Sequence, residues 1–498
     1  MASSSLAATD VAEASTPART LTTWKIVVLI IAAMTPLAVV VGTLPLGLAF
    51  GGPSMTLMFA ASGVIIWLFC VGYTQMVRRI TRPGAFYNYI ARGLGRPAGV
   101  GAAMIAVVGY PVGLIASFAI QAFVIQETLV ALFGVTFPWQ VILLAEAIIV
   151  GTLAYRRIDL NAAAVLAVVT AEVLLIGSLV VSIIADKGLG AFPAEAVSFD
   201  VLNVGQWAVA FVFAILCFQG YESGALYAPE AKRPEKTVPR ALYGALIIIV
   251  GLLALTTWAL TSVTGVQDQQ QIVQDAGIVG FIFATVEQYL GSVGLWILSF
   301  VAILAGLACN LAIANFMSRY LQSLAAEDLL PRALAKRNKH DAPGVALLTL
   351  VISAVVVILV LSFVGIDPYT QITAVGFGIG ALGATALQAL ASAAVVAYFL
   401  KQPASDRHWW RTLVAPALST VLLAAALVVE ISAFSWITGI EAPWTAALPW
   451  VIPIVLLGGT GFGFWIKKNR PHTYQDLAAG DTAEEAEMLR TARLARQG

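Results

Sequence analysis

Apolar residues run along this chain in long unbroken stretches, and polar residues collect in short segments between them. A helix that crosses a bilayer needs roughly 20 apolar residues, because the hydrocarbon core is about 30 Å thick and a helix rises about 1.5 Å per residue. The pattern predicts twelve such helices, at about 24–50, 54–77, 99–131, 138–155, 160–185, 204–228, 241–265, 292–322, 344–365, 371–400, 412–433 and 446–466. Segment 278–290 (IVGFIFATVEQYL) is apolar but too short to cross; it reads as a re-entrant or surface helix ahead of the eighth span.

Two of these stretches are interrupted. Phe211–Leu242 begins as an apolar helix, turns polar and flexible at Cys217–Gly224 (CFQGYESG), and ends in a charged run, Glu230 to Arg240, that carries Pro234 and Pro239. Backbone N–H and C=O groups freed by such a break find no water in hydrocarbon, so a break at that depth survives only where it lines a protein cavity. Span 1 is interrupted at Thr35-Pro36 and again at Gly42 and Pro45. Proline removes a backbone donor and clashes one turn back. Span 1 also runs about 27 residues, ~40 Å as a helix, which exceeds the hydrocarbon core. Broken helices at corresponding positions of two halves point to an inverted-repeat transporter with its site at the bilayer midplane. The expected halves are 24–185 (spans 1–5) and 204–400 (spans 6–10), and 412–466 adds two peripheral helices.

Composition works mainly by exclusion. The 498 residues are 60% hydrophobic and 11% charged, whereas soluble domains carry about a quarter charged residues. The expected class is therefore an all-α integral membrane protein with the lipid bilayer as solvent. A net charge of +1 argues against a nucleic-acid partner. Cys70, Cys217 and Cys309 all fall in apolar runs, where an odd number reads as packing residues rather than disulfides or a metal site. His340, His408 and His472 lie apart in charged segments. With no metal cluster, phosphate loop or Ser/His/Asp set in the sequence, no metal, cofactor or enzymatic activity is expected.

Lys and Arg fix an orientation. They gather in the loops after spans 2, 4, 6, 8 and 10, and of the 28 only Lys187 falls in the opposite loops. The positive-inside rule then puts both termini in the cytoplasm. Residues 1–23 lack a signal-peptide pattern and read as a cytoplasmic tail, as do 467–498, where Arg490, Arg493 and Arg496 have the spacing of a short surface helix.

At Phe218–Ser223 the break leaves carbonyls ending one half-helix and N–H groups starting the next; by the helix dipole, the first favour an ammonium and the second a carboxylate. Phe218, Gln219, Gly220, Tyr221, Glu222 and Ser223 are expected to bind substrate, together with Thr35, Pro36, Leu37, Ala38 and Gly42 of span 1 and Tyr110 of span 3. Glu222 either pairs with an amine or braces the break, and Phe218 and Tyr221 either gate the cavity or pack between helices. Glu172 lies mid-span in VLAVVTAEVLLIGSL, a depth at which an ionisable residue is costly and by default functional. It is read as the proton-coupling residue, against a permanently neutral carboxyl bonded to a neighbouring helix or a cation ligand. Asn310 is placed near it, bonding Glu172 or a cation, against a plain interhelical hydrogen bond. The glycines of span 10 (Gly376, Gly378, Gly380, Gly383) suit close packing, and Arg79, Glu230 and Arg240 are candidates for pairing across an inner gate.

Four pieces of the chain resemble the amino acid–polyamine–organocation (APC) superfamily of permeases. They are GYESGALYAPEAKRPEKTVPRA at Gly220–Ala241, RPGAFYNYIARGLGRPAG at Arg82–Gly99, YRRIDLNAAAV at Tyr155–Val165 and SRYLQSLAAEDLLPRALAKRNKHDAPGVAL at Ser318–Leu347. The resemblance covers about residues 24–470. It implies a LeuT-like fold of twelve transmembrane helices, a 5+5 inverted repeat plus two peripheral helices, as monomer or homodimer. It further implies secondary transport of amino acids or amines; with the broken helices and Glu172, the expected activity is import of an amino acid or small organic amine by alternating access, driven by H+ rather than sodium. The alternatives are an amine or polyamine permease or exchanger without ion coupling, and, from another class, a non-transporting membrane ligand sensor. By the same resemblance Glu172 falls where several proton-coupled relatives have a lysine, and Glu146 of span 4 lies outside the core bundle as a structural or dimer contact. Many of these permeases break span 1 with G-x-G; here the region reads Thr35-Pro36-Leu37-Ala38-Val39-Val40-Val41-Gly42, so the chemistry of this break differs.

Overall fold

The computed structural model describes residues 21–80, 85–156, 162–202, 206–438, 440 and 443–477. The expected tails up to residue 20 and beyond 477, with Arg490, Arg493 and Arg496, lie outside the described residues, as do parts of the Arg82–Gly99 and Tyr155–Val165 pieces. The described residues are almost entirely helical, with no strand among them. Its long helices are α1 (Thr23–Gly51), α2 (Ser54–Val77), α3 (Arg96–Phe133), α4 (Trp139–Tyr155), α5 (Ala162–Lys187), α6 (Gln206–Leu216, continued by a 3-10 run Tyr221–Glu230), α7 (Pro234–Thr264), α8 (Ile278–Ala326), α9 (Gly344–Phe363), α10 (Pro368–Leu400), α11 (Trp409–Ser432) and α12 (Thr445–Asn469). A short helix, Ala85–Leu94, lies between α2 and α3.

Among the described residues, eleven helices are long and apolar enough to cross a membrane, and α4, at 17 residues, falls just short. At about 1.5 Å per residue α4 is ~26 Å long, the lower limit for a span. The protein is therefore a multi-pass helical membrane protein. Segment 278–290 forms a helix that meets the body of α8 at a kink where Gly291 has φ 70°. Helix α7 begins at Pro234, not at 241. Proline suits the first turn of a helix, where its missing N–H has no partner to lose, and charged residues can extend a helix beyond the hydrocarbon.

Burial sorts the helices. In the most apolar windows of α1, α6 and α10, between 78% and 83% of residues are buried, against 33% in α11 and 22% in α12. The two interrupted helices and α10 therefore form the centre, and α11 and α12 face lipid. Helices α3 and α10 approach closely because glycines meet: Gly383 lies against the Gly109 backbone and Gly380 against Gly113, so a side chain on either would touch the opposite helix.

Candidate functional site: two broken helices around a central cavity

Helix α1 ends its first half at Thr35. The residue before a proline is disfavoured in the helical region, and Thr35 takes a left-handed conformation, φ 42°. A positive φ is unusual for a β-branched residue and marks a position held by its surroundings. Its N–H still closes the first half, donating to Ile31 O at 3.0 Å. Pro36 restarts the helix, and Val39–Thr43 form a π-helical turn. In α6 the α-helix stops at Leu216, Gly220 turns at φ 99°, and the chain continues as a 3-10 run rather than an α-helix. The two breaks touch. A Cβ on Gly220 would lie 2.7 Å from the carbonyl oxygen of Ala33, so this position admits only glycine in this geometry.

Each restarted half-helix begins with N–H groups that lack a partner one turn back. In both cases a carboxylate answers one of them. Leu37 N–H donates to Glu172 Oε2 of α5 at 3.3 Å, and Gly220 N–H donates to Glu222 Oε2 at 3.0 Å. A negative charge at a helix amino end also meets the favourable end of the helix dipole. Glu222 is held further by the Tyr110 hydroxyl, which donates to Oε1 at 3.2 Å, and the Tyr73 hydroxyl donates to its main-chain carbonyl at 3.4 Å. These bonds brace the break, and Glu222 also stands on the cavity wall, where an amine could meet it.

Between the breaks lies a cavity of about 270 Å³. Thr35, Ala38, Gly42, Tyr110, Gln219, Gly220, Glu222 and Ser223 stand on its wall, as expected from the sequence. Four expected positions do not. Leu37 and Pro36 are buried toward α5, and Glu172 stands behind them, off the cavity wall. Phe218 turns away to pack edge-on against Phe59 at 5.9 Å, and Tyr221 packs on Phe69 at 5.9 Å. Tyr221 belongs to a buried aromatic cluster with Phe69, Tyr73, Phe86 and Tyr89. That cluster fills the space below Glu222, toward the face on which α1 begins. The remaining wall is largely aliphatic and aromatic: Val39, Val41, Ile120, Val124, Ile313 and Phe377.

Gln219 Nε2 donates to Gly380 O at 3.2 Å, tying the α6 break to α10. Ser223 lines the cavity, and its Oγ is buried without a hydrogen-bond partner. Asn310 departs from expectation. Its amide nitrogen donates to Glu146 Oε1, and it is Glu146, not Glu172, that it meets. Cys309, one residue earlier, faces the cavity instead; successive helix positions turn by about 100°, so Asn310 points toward α4. Arg79 pairs with Asp406 at 3.0 Å rather than with Glu230. The main chain at Glu230 is engaged from another direction: Leu21 N–H donates to Glu230 O and Lys232 N–H to Leu21 O, both at 3.0 Å, which fastens the start of α1 to the end of the 3-10 run.

Two polar residues were not singled out in the sequence. Gln121 of α3 lies on the cavity wall, its amide laid over Gly306. Glu430 of α11 is fully buried and accepts from Thr385 Oγ1 of α10 at 2.7 Å. Both stand alone in apolar runs, and that isolation is the signal that marks a costly, deliberate polar group.

The fold and this site define a class: a multi-pass helical membrane protein in which two broken central helices enclose a small cavity. The family model described as "Amino acid permease" matches residues 25–475, so the chain belongs to the amino acid permease family of the APC superfamily. Among individual proteins it is similar to the branched-chain amino acid permease BcaP of Lactococcus lactis subsp. cremoris (strain MG1363), 30% identical over 162 residues, 31% of each chain. It is also similar to the glutamate/gamma-aminobutyrate antiporter of that strain, 25% identical over 138 residues, 27% of each chain. The matched stretches thus span less than a third of these relatives.

Proposed function

We propose that this protein imports a neutral amino acid with an apolar side chain, together with a proton, across the cell membrane by alternating access. The observation that carries the reading is the division of the cavity. Its polar atoms gather at the two touching breaks and on the facing stretch of α3, at Tyr110, Ser117 and Gln121, and most of the remaining wall is aliphatic and aromatic. A zwitterion with an apolar side chain has the same division. The first-half carbonyl ends attract its ammonium, Ser223 Oγ and remaining break N–H groups meet its carboxylate, and the side chain lies against Val39, Ile120, Ile313 and Phe377. The name of the branched-chain permease relative supports the choice of an aliphatic side chain. The antiporter relatives favour exchange as a second reading. Among the described residues no Lys or Arg stands on the cavity wall to meet a second substrate carboxylate, which disfavours glutamate.

Glu172 is the proton site in this reading. It acts through Leu37: as a carboxylate it holds the amino end of the outer half of α1, and as a neutral acid it holds it less strongly. A charge at a helix end is worth ~0.3–2 kcal/mol, enough to bias a conformational equilibrium several-fold. The two halves of the chain, 24–185 and 204–400, move against each other as inverted repeats, with both termini in the cytoplasm.

The test is uptake of radiolabelled leucine, glutamate and putrescine into proteoliposomes under an inward proton gradient. Leucine should accumulate, and neither of the others should. Glu172→Gln should abolish gradient-driven accumulation while retaining leucine–leucine exchange. Accumulation of glutamate, or leucine uptake indifferent to the gradient, would overturn the reading.

A further inference from the structure

We infer that the protein carries an anionic phospholipid in a built site between the ends of α4 and α9, remote from the central cavity. A hollow of about 570 Å³ opens there, lined by Thr152 and Tyr155 of α4, Arg156 at its carboxyl end, Lys339 and His340 of the loop before α9, and Leu348 of α9. It lies on the face where α1 begins, the same face as the other basic loops. Its charge is uncompensated. The two arginines of that loop are each paired within it, Arg332 with Asp328 and Arg337 with Asp341, both at 2.8 Å. Arg156 and Lys339 line the hollow, and among the described residues neither has an acidic partner within ion-pair distance. The loop pairs both of its arginines internally, Lys336 stands outside the hollow, and Arg156 and Lys339 share the one concavity without an ion pair.

The walls are fixed rather than draped. Asn338 Nδ2 donates to Tyr155 O at 2.8 Å, and Asn338 Oδ1 accepts from His340 N–H at 2.8 Å and Ala342 N–H at 3.0 Å. The Tyr155 and His340 rings meet edge to face at 6.4 Å. Above the basic residues the surface turns apolar and exposed, with Ile148, Leu348 and Ile352 facing outward. Gly151 belongs to the hollow, and a side chain there would meet only Val351, at 3.8 Å. Its lack of one leaves a furrow between α4 and α9 that is continuous with the lipid-facing surface. A phosphate meeting two cations and a tyrosine at the membrane boundary, with an acyl chain in an apolar furrow above, is the chemistry of a phosphatidylglycerol-type lipid. Basic pockets between helices at the anionic leaflet are favourable for such head groups. The inference does not depend on what the central cavity binds.

Native mass spectrometry of the purified full chain, loaded with phosphatidylglycerol or phosphatidylcholine in detergent, tests this. The wild type should retain one phosphatidylglycerol and release phosphatidylcholine. The double variant Arg156→Gln/Lys339→Gln should bind phosphatidylglycerol about 30-fold more weakly, a tenfold change being about 1.4 kcal/mol and each membrane-surface cation contributing about 1. Lys25→Gln/Lys336→Gln removes the same charge outside the hollow and should bind as the wild type does. Arg156→Lys/Lys339→Arg should also retain the lipid, which separates loss of charge from loss of fold. Equal weakening in both glutamine pairs, or none in either, overturns the site. Displacement of the lipid by millimolar inorganic phosphate overturns the lipid assignment in favour of a free anion.

Discussion

Gly220 offers the sharpest test of whether the two breaks work as one unit. Replacing it with alanine puts a methyl group at φ 99°, a backbone region costing an L-residue ~1–2 kcal/mol. The same methyl would sit 2.7 Å from the Ala33 oxygen and 3.0 Å from its carbon, where comfortable contacts begin at about 3.5 Å. The breaks must then part by roughly 0.5–1 Å, and the whole change costs about 2–3 kcal/mol. That strain falls on any state in which the breaks are closed around substrate, so it weakens leucine binding by ~30- to 150-fold, at about 1.4 kcal/mol per tenfold. The assay is ligand-induced thermal stabilisation of the purified protein, which reports affinity for the folded state by mass action. Gly251→Ala is the control: nothing lies within 4 Å of its added methyl, and alanine is the better helix former by about 1 kcal/mol. Wild-type leucine affinity in Gly220→Ala would show that the contact between breaks is incidental to the site.

Two further substitutions separate bracing from binding. Glu222→Gln keeps an oxygen for Gly220 N–H and should bind leucine within about threefold of the wild type, whereas Glu222→Ala leaves that donor unpaired, costs ~1–3 kcal/mol and should weaken binding tenfold or more; equal losses in the two variants, read by the same thermal titration, would make Glu222 a charge partner of the substrate. Asn310→Ala strands Glu146 among apolar neighbours and should destabilise the protein by several kcal/mol in thermal unfolding, while Glu146→Leu/Asn310→Leu should be milder than Asn310→Ala alone, because removing both partners leaves no buried group unsatisfied. A double variant less stable than the single one refutes that account.

Span positions were legible because hydrocarbon imposes one period-independent demand, a run of apolar residues, and the expected and observed helices differ by a few residues at most ends. The breaks were legible for the same reason in reverse: Thr35-Pro36 and CFQGYESG are too polar or too poor in donors to remain helical unaided. Facing was not legible. Phe218 and Tyr221 belong to a turn and a 3-10 run whose rotation per residue differs from that of an α-helix, so a string that reads as cavity lining turns two of its rings away. Asn310 missed Glu172 by one residue of helix rotation, with Cys309 in the place expected for it. Glu430 and Thr385 are 45 positions apart, and only packing brings them together.

The pairing of both breaks with carboxylates changes what the site can ask of a ligand. A restarted helix ordinarily offers its free N–H groups to a substrate anion. Here Glu172 has taken the N–H of Leu37 and Glu222 that of Gly220, so each amino end is already partly neutralised. Among the described residues, the carbonyl ends of the first half-helices carry no such compensation, and the cavity wall supplies no Lys or Arg. The electrostatic balance of the cavity is therefore tilted toward a positive group, and under the proposed function the ammonium is the end of the amino acid that the site would anchor most firmly. The missing glycines of the first break fit the same balance. A wall of Val39 and Val41, with Leu37 N–H turned back to α5, gives up backbone donors to the substrate carboxylate and gains apolar surface for its side chain. Recognition then rests on charge at one end and burial at the other. Under the proposed function, the carboxylate between them is left to the donors that the breaks have not already paired, with the unpartnered Ser223 Oγ as the side-chain candidate.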